Sequence, residues 1–584
     1  MAWLRRATLG GTISQTTLKS KTWWLGALLA LGLAGAACAG SGDTSTTTAT
    51  GASTTATPAV TTTATAPEPV FSGLALDAGG CDYGGRVRSI TAVDELTVEF
   101  KLCDPHPGFL AQIASSVLGI QSQENLEATG GAPLRNPIGT GPYRLVDWIA
   151  GDSVVYERFD DYYGEKPAHK MAILKWVTES AVRLDELRSG RADGMAFPGP
   201  EEYATIEGDA DLVLLHKPEP NVFYMGFTNT FPPWDDARVR KAVALGVNRQ
   251  RIVDRFYPAG SETPSHFTPC SVENGCEGES WYEFNVDEAK ALLDEAGLGE
   301  GFETTIYYRD AALGYLPSPG MVATDIQAQL KENLNIDADV VLMGDREFGE
   351  TSSAGRLDGI HLRGWTGDYP HVTNFLDTRF AKTNAQFGIP YREIYEPLQA
   401  AAQLTDPVAA APLYEEANNA IKDLVPMVPV ARVGSAYAAT AGVRGAHAPP
   451  WGQVMFNQWD NGTDSITFVQ RSEPNSLYCA DETDRGSLRA CAQVVETLYS
   501  YSTTGEVQPQ LATNCVANDT MDEWTCTLRQ GVIFHDGTTF GANDVVASLA
   551  AGLDASNPLH TGNSGVFAYY DYLWKSLINV PTDS

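Results

Sequence analysis

Hydrophobic and polar positions follow two different periods beyond residue 71, and these predict both strands and helices. Alternate residues from Leu96 to Leu102 are apolar, which is the pattern of a half-buried strand. Other segments place apolar residues every three or four positions, as one face of a helix does. Because strand and helix signals alternate along the chain, the pattern indicates an α/β protein.

Two segments show the helical pattern clearly. One runs from Val239 to Phe256 and follows Asp236, an acid suited to a helix start. The other, Leu413–Leu424, ends just before Pro426, which cannot continue a helix. We expect the apolar stripes of both segments to face a protein core.

Composition limits the class of protein. The chain has 584 residues, long enough for two or three domains, and carries 40 basic against 73 acidic residues, a net charge of −33. Nucleic-acid binding draws its affinity from clustered Lys and Arg, so no nucleic-acid partner is expected.

The amino end has the pattern of a bacterial export signal. Basic residues precede an apolar run from Trp23 to Ala37, shorter than the roughly 20 residues of a membrane-spanning helix. Cys38 then resembles the lipidated cysteine of bacterial lipoproteins, although Gly35 stands where that pattern prefers an aliphatic residue. Residues 1–38 are therefore predicted to export the chain and anchor it through Cys38 to the outer face of the cell membrane; ordinary signal-peptidase cleavage is the alternative.

A linker follows the signal. Residues 39–71 are almost entirely Thr, Ala, Ser, Gly and Pro, which cannot bury enough apolar surface to offset the entropy of folding. We predict a disordered tether between the membrane anchor and the folded part of the protein.

Apart from Cys38, the cysteines fall in sequence as close pairs, which predicts disulfides in an exported chain. These pairs are Cys81 and Cys103, Cys270 and Cys276, Cys479 and Cys491, and Cys515 and Cys526. Spacing leaves the connectivity open, because many pairings are compatible with it. Zinc binding is the alternative, but without CxxC spacing or companion histidines no metal site and no cofactor is predicted.

Two segments carry a family resemblance. Thr525–Gly537 and Gly139–Leu145 resemble the family 5 solute-binding proteins of ABC importers, which bind peptides or nickel. The resemblance implies a type II periplasmic-binding-protein fold, with two α/β lobes, a hinge and an additional small domain. It also implies an extracytoplasmic binding protein, not an enzyme, which captures short peptides, delivers them to an ABC permease and acts as a monomer.

The order of the segments differs from the family's order. The segment from Asp464 onward resembles the family's beginning, whereas Ser89–Asp94 resembles the piece expected after Ser584. We infer a circular permutation whose joint lies near Asn461, in an Asn-Gly turn. Two partial proteins in tandem, each completed by another chain, are the alternative.

On this interpretation the folded part divides into three domains. The division is: residues 72–138 and 500–584 form the additional small domain, residues 139–232 and 433–499 form lobe I, and residues 233–432 form lobe II.

Arg363–Pro370 is the strongest local signal for a binding site. It resembles the segment of peptide-binding relatives in which an aspartate receives the ligand's α-ammonium group, and Asp368 matches that residue. The same resemblance implies further ligand contacts from Trp365, Tyr369, Asn475, Tyr499 and Phe223. An Asp that caps a turn is the alternative for Asp368, and buried sheet is the alternative for Phe223.

The sequence also leaves alternatives to peptide capture. Relatives with the same fold bind nickel chelates, oligosaccharides or opines, and a surface sensor or adhesin without a transport partner is a further possibility. A secreted hydrolase is the remaining alternative, because His535 and Asp536 stand side by side. That pair lies in a segment that is structural in the family, and no HExxH pair, nucleophile elbow or phosphate loop occurs.

Overall fold

The computed structural model describes residues 71–309 and 313–581. The predicted signal, Cys38 and nearly all of the tether lie outside the described residues. The strands, in chain order, are β1 Ala75–Asp77, β2 Val87–Asp94, β3 Thr97–Leu102, β4 Tyr143–Ile149, β5 Ser153–Arg158, β6 Met171–Trp176, β7 Gly194–Ala196, β8 Leu212–Pro218, β9 Asn221–Gly226, β10 Glu303–Arg309, β11 Asp337–Met343, β12 Ile360–Thr366, β13 Met427–Ala431, β14 Gly434–Thr440, β15 Ser465–Gln470, β16 Tyr499–Tyr501, β17 Val507–Pro509, β18 Ala512–Ala517 and β19 Glu523–Leu528.

The helices are α1 Phe109–Ile113, α2 Gln123–Ala128, α3 Ser180–Arg188, α4 Tyr203–Glu207, α5 Ala237–Gly246, α6 Arg249–Phe256, α7 Val286–Glu295, α8 Pro319–Leu334, α9 Asp345–Ser353, α10 Val372–Phe375, α11 Asp377–Phe380, α12 Arg392–Ala401, α13 Pro407–Leu424, α14 Arg485–Cys491, α15 Ala542–Leu553 and α16 Ala568–Leu573. Short 3₁₀ helices cover Ser116–Leu118, Pro200–Glu202, Phe456–Gln458 and Cys479–Asp481. No described helix combines the length and apolar character needed to cross a membrane.

The two ends of the folded part build one sheet together, which we call the terminal sheet. Its strand order is β1-β2-β3-β19-β18, and β3 pairs antiparallel with β19 so that Val98 lies opposite Cys526. Val98 and Phe100 are fully buried, as the alternation in this segment predicts. The amino-terminal and carboxyl-terminal segments are therefore parts of one structural unit.

Two further sheets form the rest of the molecule. The seven-stranded sheet has the order β4-β5-β6-β15-β7-β14-β8 and includes parallel pairing of β15 with β6 and β7. The third sheet has the order β11-β10-β12-β9-β13, with β10 parallel to both of its neighbours and β9 antiparallel to both of its own. Mixed sheets covered by helices confirm the predicted α/β class.

The apolar side chains form two main cores. One core joins the terminal sheet to the seven-stranded sheet, and the other surrounds the third sheet. The predicted small domain thus shares its core with lobe I. The lobe that contains the third sheet therefore has a core of its own.

The chain crosses between these cores twice, from β8 to β9 and from β13 to β14. Each crossing takes two residues, Glu219-Pro220 and Arg432-Val433. The second crossing coincides with the expected boundary after residue 432. The first lies before β9 and not at 232, because β9 hydrogen-bonds to β12 and β13 inside the third sheet. The expected boundary at 499/500 likewise divides β16, which pairs with β17.

The helical stripe from Val239 to Phe256 proves to be two helices. Asp236 caps α5 by accepting a hydrogen bond from the Arg238 N–H at 2.8 Å, as its position suggested. Asn248 then caps α6 through the Arg251 N–H at 2.9 Å. A second capping residue ends the first helix and starts another without changing the apolar spacing.

All four expected cysteine pairs form disulfides: Cys81–Cys103, Cys270–Cys276, Cys479–Cys491 and Cys515–Cys526. The last of these links β18 to β19 across the terminal sheet. The connectivity that spacing left open is thus the one between sequence neighbours.

Candidate functional site

The motif predicted to bind ligand begins in β12 and ends just beyond it. Arg363 and Trp365 are two residues apart in this strand and project to the same face, as successive odd positions of a strand do. Asp368 follows the end of the strand. Gly364 is required here, because a Cβ atom at this position would come within 2.3 Å of the Tyr315 ring.

Two cavities adjoin the motif. The larger has a volume of about 500 Å³ and the smaller of about 180 Å³. Thr366, Asp368, Thr483 and Tyr569 line both. Strand β12 and the residues directly after it supply the first two, and other parts of the chain supply the last two. The cavities therefore form one cleft between the lobes, with Asp368 at its middle.

Asp368 is a largely buried carboxylate that accepts few hydrogen bonds. Asn374 Nδ2 donates to its Oδ2 at 3.1 Å, and the Asp368 N–H donates to Asn374 Oδ1 at 2.9 Å. Burial raises the pKa of Asp368 to about 6, although Asn374, Tyr572 and Arg379 favour the ionised form. No Lys, Arg or His within the described ranges forms an ion pair with it, so its charge is available to a ligand.

Trp365 forms an aromatic wall of the larger cavity. The guanidinium carbon of Arg379 lies 4.3 Å from the centre of its ring, and the ring of Tyr572 lies 5.9 Å away. The indole Nε1 donates to Asn374 Oδ1 at 3.3 Å. Asn374 therefore holds both Trp365 and Asp368, and it fixes the tryptophan beside the carboxylate.

Arginines dominate the rest of the larger cavity. Arg309 at the end of β10, Arg363 in β12 and Arg379 in α11 all line it. Arg309 donates to Asp345 Oδ1 and to the Tyr315 hydroxyl. Sequence analysis named Arg363 only as the first residue of the motif and did not identify Arg309 or Arg379.

A buried charge network lies on the smaller cavity, at the first crossing between the lobes. Glu219 accepts hydrogen bonds from Arg485 at 2.7 and 2.9 Å, from Lys217 at 3.1 Å and from Ser435 at 2.7 Å. Burial alone would raise the pKa of Glu219, but Lys217 and Arg485 lower it to about 2. The network fixes Arg485 at the cleft.

Four of the predicted ligand contacts lie elsewhere. Tyr369 is buried and packs edge-on against His106, with ring centres 5.9 Å apart. Asn475 is exposed and donates to Asp484 at 2.9 Å. The Tyr499 hydroxyl accepts from the Cys515 N–H at 3.0 Å, and Phe223 stacks on Tyr257 in the core. None of the four lines either cavity.

The cleft also contains residues that sequence reasoning missed. Tyr569 and Tyr572 reach it from α16, near the carboxyl end of the chain. Burial and the nearby charge of Asp368 raise the pKa of Tyr572, so its hydroxyl stays protonated. A cluster of tyrosines in this segment was the available signal, but no spacing rule connects it to a motif 200 positions earlier.

Sequence analysis gave little weight to catalysis at His535 and to metal binding by cysteines, and the structure shows what these residues do instead. His535 Nε2 lies 2.9 Å from the Gly141 carbonyl oxygen, and burial lowers the pKa of the ring to about 4, so it acts as a neutral packing group. His266, Cys270 and Cys276 present potential metal ligands within 4.8 Å of one another, but the two sulfurs are bonded to each other.

Comparisons with known proteins agree with this arrangement. The family model "Bacterial extracellular solute-binding proteins, family 5 Middle" matches residues 48–387 and 506–571, together more than half of the chain. The dipeptide-binding protein of Escherichia coli K12 is 28% identical over 383 residues, which cover 63% of this chain and 71% of that protein. Heme-binding protein A of Haemophilus influenzae is 25% identical over 382 residues, 63% of this chain and 69% of that protein.

A solved structure extends the likeness to the fold. The structure of HbpA2 from Haemophilus parasuis superposes with a TM-score of 0.61 at 26% identity, covering 65% of this chain and 76% of that one. With its two crossings between lobes and its cleft at β12, this chain belongs to the bacterial extracellular solute-binding proteins of family 5.

Proposed function

We propose that this protein captures short peptides outside the cytoplasm and delivers them to an ABC transporter permease. The observation that carries the proposal is Asp368, a largely buried carboxylate in the middle of the cleft, without a paired cation in the described part of the chain. The dipeptide-binding relative in Escherichia coli supports the same ligand class.

A free peptide amino terminus suits Asp368 chemically. It carries a positive charge and three N–H donors, and in the described part of the chain only Asn374 and Tyr572 hydrogen-bond to the Asp368 carboxylate. A charge-assisted hydrogen bond in a poorly hydrated cleft is stronger than a neutral one. The ammonium group would also offset the cost of keeping this carboxylate ionised while it is buried.

The other end of the peptide would bind Arg379. This guanidinium group lies against Trp365 in the same cavity, and its Nε is buried without a hydrogen-bond partner. A carboxylate is the natural acceptor for a planar guanidinium group, because the two can form parallel hydrogen bonds. One short peptide can therefore join Asp368 to Arg379 within the cleft.

Ligand binding would close the two lobes. Residues from both sides of the crossings line the cleft, and each crossing is only two residues long. Few backbone angles then need to change for the lobe around the third sheet to rotate toward the other. The closed form would identify the loaded protein to the permease.

The test is calorimetry on the secreted protein without residues 1–38, using alanyl-alanine and N-acetyl-alanyl-alanine. We expect acetylation and the Asp368→Asn substitution each to weaken binding by about tenfold to a hundredfold. The matched control is Asp160→Asn, at an exposed carboxylate paired with Arg158 outside the cleft. Equal affinity for the acetylated peptide, or an Asp368→Asn protein that binds as well as the control, would overturn the proposal.

The proposal includes attachment to the membrane through a lipid on Cys38, with the protein acting as a monomer. The support is the pattern of residues 1–38 and the family's extracellular location. Metabolic labelling with a palmitate analogue tests the anchor, and the label should disappear in a Cys38→Ala variant.

We also propose that the chain is a circular permutation of the family's usual order, with lobe II bounded by the two crossings at residues 219–220 and 432–433. The β3–β19 pairing supports this, because it joins segments from the two ends of the folded part. The same junction is strengthened by Asn543, which accepts from the Leu74 N–H at 2.8 Å and donates to the Ser72 carbonyl oxygen at 3.2 Å.

A further inference from the structure

The cleft has the opposite charge to the protein around it. The chain carries 73 acidic and 40 basic residues, yet cations outnumber anions on the cavity walls. The charged residues that line the two cavities are Arg309, Arg363, Arg379, Lys217, Arg485, Asp368 and Glu219. An acidic coat that keeps the protein soluble does not explain an excess of cations on the cavity walls. We therefore attribute this excess to the ligand.

Several of these cations are already paired within the protein. Lys217 and Arg485 share Glu219, to which both donate hydrogen bonds. Arg309 forms an ion pair with Asp345 from α9. That leaves Arg363 and Arg379 as the two guanidinium groups of the larger cavity without a carboxylate partner among the residues described.

Arg363 is held in place by neutral groups. Its Nη1 donates to the hydroxyls of Ser352 at 3.0 Å and Ser353 at 2.9 Å. Burial lowers the pKa of Arg363, and the nearby charges of Arg379 and Arg309 lower it further. The serines fix the direction of the guanidinium group but do not neutralise it, so the cavity keeps a positive potential.

Register places Arg309 beside Arg363. Strands β10 and β12 run parallel, with Ile306 opposite Ile360 and Tyr307 opposite His361. Arg309 and Arg363 each lie two residues beyond the last of these pairs, at the carboxyl ends of adjacent strands. Like charges on neighbouring strands are unfavourable unless an anion lies between them or on them.

A neutral peptide cannot balance these charges. Its ammonium group pairs with Asp368 and its single carboxylate pairs with one guanidinium group, which leaves the other uncompensated when the lobes close. An unpaired charge in a closed cleft is costly. A peptide with one additional carboxylate supplies the missing partner.

We infer that the cleft selects acidic peptides, in which a Glu or Asp side chain pairs with the second of the two free arginines, Arg363 and Arg379. This inference rests on the proposed peptide-binding function and names the ligand class within it. Arg363 is the residue we assign to the side-chain carboxylate, because Arg379 is the guanidinium group that lies against the Trp365 ring and whose charge acts on Asp368.

The experiment compares peptides that differ in charge but not in shape. Alanyl-glutamate and glutamyl-alanine are titrated by calorimetry at pH 7 alongside alanyl-glutamine and glutaminyl-alanine, with alanyl-lysine as the opposite charge. We expect the better of the two glutamate peptides to bind at least about tenfold more tightly than its glutamine counterpart, and alanyl-lysine to bind most weakly.

Substitution then locates the selectivity. Arg363→Gln should reduce the glutamate-to-glutamine affinity ratio to about one, because the glutamate peptide loses its partner and the glutamine peptide no longer leaves a guanidinium group unpaired. The matched control, Arg346→Gln, removes an arginine that is 90% exposed and pairs with Glu350 on the surface of the same lobe. This control should leave the ratio unchanged.

The outcomes separate the two proposals. Equal affinity for glutamate and glutamine peptides would overturn the inference of acidic selectivity and leave peptide capture standing. Failure of every peptide to bind would overturn the proposed function itself. A glutamate preference that persists in both Arg363→Gln and Arg379→Gln would overturn the assignment of these arginines. If a variant fails to fold, the glutamate-to-glutamine affinity ratio of the wild type still decides whether the cleft selects acidic peptides.

Discussion

Lowering the pH from 7 to 5 is expected to weaken peptide binding about tenfold, because the carboxyl of Asp368 must lose a proton before it can pair with an ammonium group. Burial raises the pKa of Asp368 to about 6 in the unliganded protein. The ligand's positive charge would return this pKa to an ordinary or lower value. Binding therefore releases a proton below pH 6, and acid opposes it.

The magnitude follows from the fraction of protein that is ionised. With a pKa of about 6, Asp368 is about nine-tenths ionised at pH 7 and about one-tenth ionised at pH 5. The affinity should fall by the ratio of these fractions, about tenfold. An aspartate with an ordinary pKa of about 3.9 would lose less than about a tenth of its affinity over the same range.

The ionisable groups around Asp368 do not change charge between pH 5 and 7. Arg379, Tyr569, Tyr572 and Tyr501 are the charged or ionisable side chains whose electrostatic influence couples to it. Guanidinium groups stay charged and phenols stay neutral between pH 5 and 7. Among these coupled groups, Asp368 is therefore the one whose charge changes in this interval, and the Asp368→Asn control separates its contribution from that of distant carboxyls.

The assay is calorimetric titration with alanyl-glutamate at pH 7, 6 and 5, with buffers of different ionisation enthalpy to count released protons. Asp368→Asn provides the control, since its weaker binding should not change with pH. A wild-type affinity that stays constant from pH 7 to 5, or a loss of affinity that persists in Asp368→Asn, would refute the role assigned to this carboxylate.

Two further predictions concern stability. Glu219→Gln should destabilise the protein by about 3 kcal/mol at pH 7 in urea unfolding, because it leaves Lys217 buried without its anion. The pKa of Glu219 is lowered to about 2, so its stabilisation is present above pH 4.5 and is lost as the pH falls toward 2; a difference that does not shrink there would contradict this origin. Glu496 behaves oppositely: burial raises its pKa to about 7, so the wild type should lose about 2 kcal/mol between pH 5.5 and 8.5 that Glu496→Gln does not lose. Parallel stability curves for the two proteins would contradict that prediction.

The fold could be predicted further than the site. Alternation from Leu96 to Leu102 identified β3 because one face of that strand is buried and the other is not. The stripe from Val239 to Phe256 was also buried as predicted, but periodicity does not show where one helix ends and a second begins. Asn248 decides that through a side-chain hydrogen bond, and an Asn is compatible with several local structures.

Within the site, local motifs predicted local geometry only. Asp368 and Trp365 line the cleft because both belong to one strand end, whereas Tyr369 turns inward against His106 directly afterwards. Arg379 lies in a helix of four residues, where no periodic pattern indicates which side faces a cavity. Tyr572 reaches the cleft because the end of the chain packs against distant segments. The spacing of residues in the sequence gives no sign of this contact.

The inferred permutation makes a physical prediction about the chain ends. Ser72 bonds to Asn543 at the start of α15, and the Ile578 N–H bonds to Leu553 at the end of that helix. The 12-residue helix is about 18 Å long, so a flexible linker of about ten residues spans the distance between residues 578 and 72. The ends are therefore close enough to be joined.

A rearranged gene tests whether the order of segments matters to the fold. It would encode residues 463–581, a ten-residue Gly/Ser linker and residues 71–462, with new ends in the exposed turn at Gly462 and Thr463. Because the break lies among local hydrogen bonds from Asn461 to Thr463 and Ser465, we expect the same four disulfides, a melting temperature within about 5 °C and unchanged peptide affinity. The control places the break before Phe468, inside β15, where buried pairing with β6 and β7 should be lost and folding should fail. A chain rearranged at Gly462 that folds no better than this control would show that the two ends do not complete one body, and the permutation would have to be abandoned in favour of two partial proteins in tandem.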